Sequence, residues 1–415
     1  FLKRVLRLCA ELYEFFAPFR LPARLLAKHM PSTIHTLNTN QTLSGPTGLP
    51  FFGNLFALTR DPLNFLTHCA REYGDIAHYR VLNVDVYLLN RPDLIEEVLV
   101  TNSRNFIKGR ALSAGNKLFG NGLLTSEGEH WQWQRKLMQP AFHRERVSAY
   151  AETIVEHGQR MVSAWRDGET RDIEAEMMRL TLPIATETLF GAQVDHAATS
   201  ASTALKFFFR QFRQRINTAL LIPDWLPTPD NLRLKRAVRQ LDGVIQNIID
   251  QRRAAYQAGD DLLSMLLQVH SEDRSRMTDR QLRDEVMTLF VAGHETTALA
   301  LTWSLYLLAR QPEIEAKLIS EIQHIIGDRL PTVNDMVSLH YTESVIKEAM
   351  RLYPPVWVLS RVALKDFQVD GVVIHKGSSI ALSQWVMQRD PRYFARSADF
   401  DPDRWTDDFS QQLPK

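Results

Sequence analysis

The chain is poor in cysteine: Cys9 and Cys69 are the only two among 415 residues. So sparse a set excludes a disulfide framework and fits a reducing compartment. Charge of one sign is lacking as well, since 49 basic and 48 acidic side chains leave a net charge of +1. That balance gives no global basis for nucleic-acid binding. No stretch reaches the roughly 20 apolar residues that a bilayer span needs. Internal repeats and interior linkers are missing too, so one large domain is expected. At 45% hydrophobic and 23% charged, the composition is globular and excludes general disorder. The first residue is Phe1, not Met, which leaves an upstream anchor or signal open.

What is present is mostly helical pattern. Residues 1–28 place Leu2, Val5, Leu6, Cys9, Leu12, Phe15, Phe16 and Phe19 on one helical face. Lys3, Arg4, Arg7, Glu11 and Glu14 mostly face away. This amphipathic arm, residues 1–43, either covers an edge of the core or rests on a membrane surface. Residues 44–54 read Ser-Gly-Pro-Thr-Gly-Leu-Pro-Phe-Phe-Gly-Asn and break any helix, separating the arm from a body over 44–415. Alternation over 76–81 and 84–89 predicts a hairpin. A second falls near 367–382, with Asp370-Gly371 as a tight turn and Lys376-Gly377 as a weaker one. Helices are expected near 61–73, 92–100, 129–165, 172–190, 200–217, 231–257, 262–269, 279–310, 312–326 and 341–352. The expected architecture is mainly α, with a small β region at one side.

The helix over 279–310 carries the most informative residues. Thr278 and Gln281 mark its start as a capping box, and Pro312 marks its stop. At 1.5 Å per residue it is about 48 Å long, enough to cross the molecule. Leu289, Phe290, Val291, Ala292, Leu299 and Leu301 make its middle apolar nearly all round, as burial requires. Into that stretch falls Ala292-Gly293-His294-Glu295-Thr296-Thr297. An acid beside a hydroxyl in a buried helix is costly without a partner or a task. Gly293 removes a side chain, so a bulky group can approach the backbone. Thr296 can bond back to the Ala292 carbonyl, or turn its hydroxyl to a ligand. Glu295 would then link that hydroxyl to solvent as a proton relay.

A second constellation is Lys347-Glu348-Ala349-Met350-Arg351-Leu352-Tyr353-Pro354-Pro355. Glu348 and Arg351 are three apart and share a helix face. They form either an exposed salt bridge, worth under about 1 kcal/mol, or a buried pair locked by a third charge. Breaking a buried pair costs about 3–5 kcal/mol.

Together these segments resemble the cytochrome P-450 family of haem-thiolate monooxygenases. Ala292–Thr297 matches that family's oxygen-activation motif, and Glu348 with Arg351 its Glu-x-x-Arg pair. Phe400-Asp401-Pro402-Asp403-Arg404-Trp405 resembles the segment that makes Arg404 the third charge of a Glu-Arg-Arg triad. Trp131 and Arg135, in Trp-Gln-Trp-Gln-Arg, match the helix that grips a haem propionate. Arg361, after the double proline, matches another propionate ligand. The Pro/Gly segment over 44–54 resembles the family's N-terminal hinge. The matches keep the family's order over nearly the whole chain.

The resemblance implies the P-450 fold, a large helical domain with a long central helix and a small β-sheet region. It implies iron protoporphyrin IX (heme b) as cofactor, with Ala292 and Gly293 against it. Thr296 and Glu295 become the proton-delivering pair. O2 and a small apolar substrate become the reactants, with electrons from NAD(P)H through a ferredoxin or a flavodomain reductase. An arginine fork suits a propionate, and the Trp131 indole is a further donor, although Trp131 equally suits plain core packing.

Leu112, Leu118 and Phe119, then Leu289, Phe290 and Ala292, then Val356, Val358 and Leu359 are expected to meet the substrate or to be core. All are apolar, which points to a fatty acid, terpenoid or aromatic substrate. Phe207-Phe208-Phe209 through Leu226 is the expected roof. Lys136, His143, Arg144 and Arg146 either face an acidic electron donor or form a solvated face.

The family's iron ligand is a cysteine in a Phe-x-x-Gly loop beyond the Arg404 segment. It is therefore expected after Lys415, with no metal ligand inside these residues; Cys69 reads as a small buried residue. Thiolate donation favours O–O cleavage in P-450 enzymes, so residues 1–415 alone are expected to be inactive. The alternatives are peroxide-driven or isomerase chemistry on the same fold, or a non-catalytic fragment. A cytoplasmic monomer with peripheral membrane contact completes the expectation.

Overall fold

The computed structural model describes residues 44–113, 115–192, 198–217, 228–254 and 261–414. The amphipathic arm with Cys9, and residues 218–227 of the expected roof, lie outside the described residues. The longer helices are α1 (Pro62–Tyr73), α2 (Gly128–Met138), α3 (Ala151–Ser163), α4 (Ile173–Phe190) and α5 (Ala198–Asn217). They continue with α6 (Pro229–Ala254), α7 (Leu262–Glu272), α8 (Asp279–Ala309), α9 (Pro312–Ile325) and α10 (His340–Leu352). Two compact bodies result, one built on Gly115–Phe212 and Pro223–Ala349, the other chiefly on residues before Gly115 and from Met350 onward.

The first body is helical. Its core gathers Phe208 of α5, Leu241, Ile245 and Ile248 of α6, Leu262 and Leu266 of α7, and Leu282, Val286, Met287 and Phe290 of α8. Full burial of each such side chain is worth about 1.5–3 kcal/mol. At 31 residues, α8 is about 46 Å long. Thr278 caps it, accepting from the Gln281 N–H at 3.1 Å. The box predicted there is only half formed: the Gln281 side chain is drawn inward, its amide nitrogen donating to Asn121 O at 3.1 Å and Glu285 Oε1 at 2.6 Å. Burial of Glu285 beside it creates a stronger claim on that amide than the helix terminus does.

The single helix expected over 129–165 is broken into α2, a 3-10 turn Gln139–Phe142, a short helix Arg144–Ala149 and α3. Pro140, without an N–H, stops the α-helical ladder there.

The second body holds the sheets. The strands are β1 (Ile76–Val81), β2 (Val84–Leu89), β3 (Phe106–Lys108), β4 (Leu359–Ala363), β5 (Phe367–Val369), β6 (Val372–Ile374) and β7 (Ser379–Leu382). The main sheet runs β1-β2-β7-β4-β3, and β5-β6 forms a separate pair. The first hairpin falls where the alternation puts it, with Ile76 opposite Leu89. On β2 the pleat sends Val86 and Leu88 into a cluster with Phe65, Leu66 and Cys69 of α1. Tyr87 and Leu89 enter the cluster on the opposite side.

The second hairpin is shorter than expected. Asp370 (φ 46°) and Gly371 (φ 79°) turn β5 into β6. β7 instead joins the main sheet, parallel to β2 and antiparallel to β4.

Two further observations bear on the site. Among the described residues, no helix is long and apolar enough to cross a membrane. On α10, Glu348 is 0% and Arg351 1% exposed, so the surface-pair reading of these residues is excluded. Arg351 donates to the carbonyls of Gln388 (2.6 Å), Ser397 (2.8 Å) and Asp399 (3.0 Å). Arg404 donates to Ala395 O at 2.8 Å and Arg396 O at 3.4 Å. The two guanidiniums thus fasten the irregular stretch 388–399 within the second body. Replacing Arg351 by leucine is expected to cost about 3–5 kcal/mol in urea unfolding, since it strands buried partners. A loss under about 1 kcal/mol would fit only an exposed pair.

Candidate functional site

Exposure changes abruptly along α8. Asp284–Val291 is buried, Ala292, Thr296 and Thr297 are exposed, and Ala298 is buried again. Gly293 and Glu295 are half-buried. Three successive carbonyls at this step each take a hydroxyl. Ala292 O accepts from Thr296 Oγ1 at 2.7 Å, Gly293 O from Thr297 Oγ1 at 3.0 Å, and His294 O from Thr181 Oγ1 of α4 at 3.1 Å. Such bonds compete with the helical ladder and loosen it locally. The Thr296 hydroxyl is therefore back-bonded, yet its oxygen lone pairs remain able to accept.

Gly293 does not face that exposed step. A Cβ there would lie 3.5 Å from Leu189 Cδ1 and 3.6 Å from Ala185 Cβ, both on α4. The bulky neighbour inferred from its missing side chain is therefore a helix. The sequence does not show how a helix is rotated about its axis, and here the rotation turns Gly293 inward.

His294 also faces α4, with Nε2 3.1 Å from Met178 O. A carbonyl can only accept, so Nε2 carries the proton. His294 Nδ1 is buried without a hydrogen-bond partner. Burial pushes the imidazole from 6.5 down to about 4, so it is neutral near pH 7.

On α2, Trp131 is half-buried and Arg135 exposed. The guanidinium carbon of Arg135 sits 5.2 Å from the indole centroid. No ion pair to Arg135 occurs among the described residues. In the second body, Arg361 on β4 is half-buried and donates to Ser360 O at 2.9 Å.

The apolar candidates divide by burial. Leu118 and Phe290 are fully buried in the first body's core, and Phe119 and Leu289 nearly so. Their contacts are packing contacts. Leu112, Val358 and Leu359 are half-buried and Val356 is exposed, all in the second body. Of the basic residues after Trp131, Lys136 and His143 are exposed, whereas Arg146 is half-buried. The side chain of Arg144 lies outside the described residues.

Cys69 is 0% exposed, and burial pushes its thiol up to about 12. It offers no thiolate. Among the described residues there is no cluster of histidine, cysteine and carboxylate side chains able to hold a metal ion. Sequence reasoning missed a second polar pair on α8, the buried Asp284 and Glu285. The signal was present: adjacent acids inside Leu282–Val291, the same anomaly that singled out Glu295 and Thr296.

The model of the cytochrome P450 family matches residues 43–414, a span that takes in both bodies. The chain is similar to cyclooctat-9-en-7-ol 5-monooxygenase of Streptomyces melanosporofaciens, 35% identical over 376 residues, covering 90% of this chain and 82% of that protein. It is similar to pentalenene oxygenase of Streptomyces avermitilis, 33% identical, covering 88% of this chain and 81% of that protein. Cytokinin hydroxylase of Arabidopsis thaliana is 32% identical over 77% of this chain and 64% of that protein. The chain belongs to the cytochrome P450 family. Its class is that of the haem-dependent monooxygenases, oxidoreductases that act on apolar substrates.

Two outcomes follow from the α4-facing side of α8. A Cβ at Gly293 would make ordinary contacts, and alanine is favoured over glycine in a helix by about 1 kcal/mol. Gly293→Ala should therefore keep or raise the melting temperature and leave haem content unchanged in the full-length protein; lost haem would place Gly293 against the cofactor after all. For His294, the unfolded chain binds a proton below pH 6.5 while the folded chain resists it down to about 4. Acidification through that window removes stability, by up to about 3 kcal/mol. His294→Gln keeps a donor for Met178 O without titrating, so its melting temperature should fall less than the wild type's between pH 7 and 4.5. Parallel curves would clear His294 of that role.

Proposed function

We propose that the protein inserts one oxygen atom from O2 into a terpenoid-like, ring-bearing apolar substrate. Electrons come from NAD(P)H through a ferredoxin or a flavodomain reductase. The observation that carries this reading is the exposure of Ala292, Thr296 and Thr297 directly after the buried run Asp284–Val291 of α8. Relatives named for cyclooctat-9-en-7-ol and pentalenene support a cyclic skeleton over a fatty acid.

The residues present fit iron protoporphyrin IX, which supplies the oxygen-activating chemistry when bound. Arg135 has an exposed guanidinium with no ion-pair partner among the described residues, set over an indole. A propionate is the carboxylate such a fork would take. Arg361 on β4 carries the same planar fork, and Trp131 brings an indole to the same helix as Arg135. Ala292 puts only a methyl group on the exposed step, so a flat ring system can lie close. Cys69, buried and protonated, is not available to the iron as a thiolate.

Thr296 donates to Ala292 O and keeps lone pairs with which to hold a water at the step. Glu295, half-buried next to it, connects that water to solvent and hands protons inward. Leu112, Val356, Val358 and Leu359 supply the apolar surface that orients the substrate and excludes water. Leu118, Phe119, Leu289 and Phe290 pack the first body's core. Exposed Lys136 and His143 suit the docking of an acidic electron donor.

The test is Thr296→Ala in the full-length, haem-loaded enzyme. Product formed per electron pair should fall roughly tenfold or more, with the electrons appearing as peroxide. Unchanged coupling would remove Thr296 from proton delivery.

A further inference from the structure

Asp284 and Glu285 take no part in the chemistry above, yet both are buried on α8, about two turns before Ala292. Each receives a backbone N–H from the segment leading into α2. Asn121 N donates to Asp284 Oδ2 at 2.9 Å, and Leu123 N to Glu285 Oε2 at 2.9 Å. The segment lies so close that a Cβ on Gly120 (φ 55°) would overlap the Asp284 carboxylate.

Behind these bonds is a closed polar ring. The Gln134 amide nitrogen of α2 donates to Asn121 O at 2.9 Å and to Glu285 Oε1. The Gln281 amide nitrogen of α8 donates to the same two acceptors, at 3.1 and 2.6 Å. Two NH2 groups and two twice-accepting oxygens thus satisfy one another. His130 Nε2, 3.0 Å from the Gln134 nitrogen, is one more acceptor within reach. The remaining Gln134 oxygen accepts from Ser126. Gln134, Gln281, Glu285 and Ser126 are all buried.

We infer that Glu285 is a positioning residue for the haem-holding helix. It accepts from Gln134 and so fixes the rotation and depth of α2 against α8. Gln134 sits about 60° around α2 from Trp131 and about 100° from Arg135. A turn of α2 that opens the ring therefore carries both donors away from the position they hold now. Only a carboxylate serves here, because Glu285 accepts three hydrogen bonds on two oxygens. A glutamine would set an N–H against another donor. The inference rests on the reading that Trp131 and Arg135 hold a propionate.

The test uses the full-length haem-loaded protein and needs no turnover. Haem release to excess apomyoglobin is measured, together with hydrogen exchange of the Asn121 and Leu123 amides. Glu285→Gln should release haem about tenfold faster and lose protection at both amides. Should Glu285→Gln fail to fold, Gln134→Met removes the same link and should show the same faster release. Ile248→Val, which loosens the core without touching the ring, should release haem at the wild-type rate. Arg135→Ala separates the two readings. If it leaves release unchanged, the propionate reading falls. If Arg135→Ala speeds release but Glu285→Gln does not, or Ile248→Val speeds release equally, the positioning role is overturned.

Discussion

A long helix buried in a protein core must find a hydrogen-bond partner for every polar group it carries, because each one left alone costs one to several kcal/mol. α8 carries many such groups, and the first body meets most of them, His294 Nδ1 being left without a partner. Near its start, Gln281, Asp284 and Glu285 draw the segment 120–126 and Gln134 inward. Thr288 bonds back to Asp284 O at 2.7 Å. In the middle, His294 and its carbonyl reach Met178 and Thr181 of α4. Thr296 and Thr297 satisfy themselves on their own helix and leave their face exposed. That difference in where the partners come from separates the packed lengths of α8 from the exposed one.

The second body meets the same demand by other means. Its irregular stretch 388–399 has few strand or helix partners of its own, and Arg351 supplies donors to three of its carbonyls from the end of α10. The guanidinium also lies 5.1 Å from the Phe394 ring centroid, which adds a cation–π contact. A planar fork with five N–H groups can serve scattered carbonyls in a way that an ammonium cannot.

Much of this was readable in the sequence, for reasons that can be named. Ala292–Thr297 stood out because polar chemistry in an apolar helix is rare, and the first hairpin because strict alternation leaves one register. Helix ends at Thr278 and Pro312 were legible from local chemistry. What failed was tertiary. The side of α8 that Gly293 turns inward, and the diversion of Gln281 from its cap to Glu285, depend on neighbours far along the chain. β3 and β4 are short and pair only through distant partners, so no local pattern announced them. Among the apolar candidates, a list of Leu and Phe positions could not distinguish core residues such as Leu118 and Phe290 from a surface such as Val356.

The burial of Cys69 has a meaning beyond packing. Enzymes that reduce O2 leak peroxide, and peroxide attacks sulfur as the thiolate far faster than as the thiol. Held on the buried face of α1 with its proton retained to about pH 12, this sulfur is kept off the path to sulfenic acid. In that sense the fold keeps it from being oxidised by peroxide.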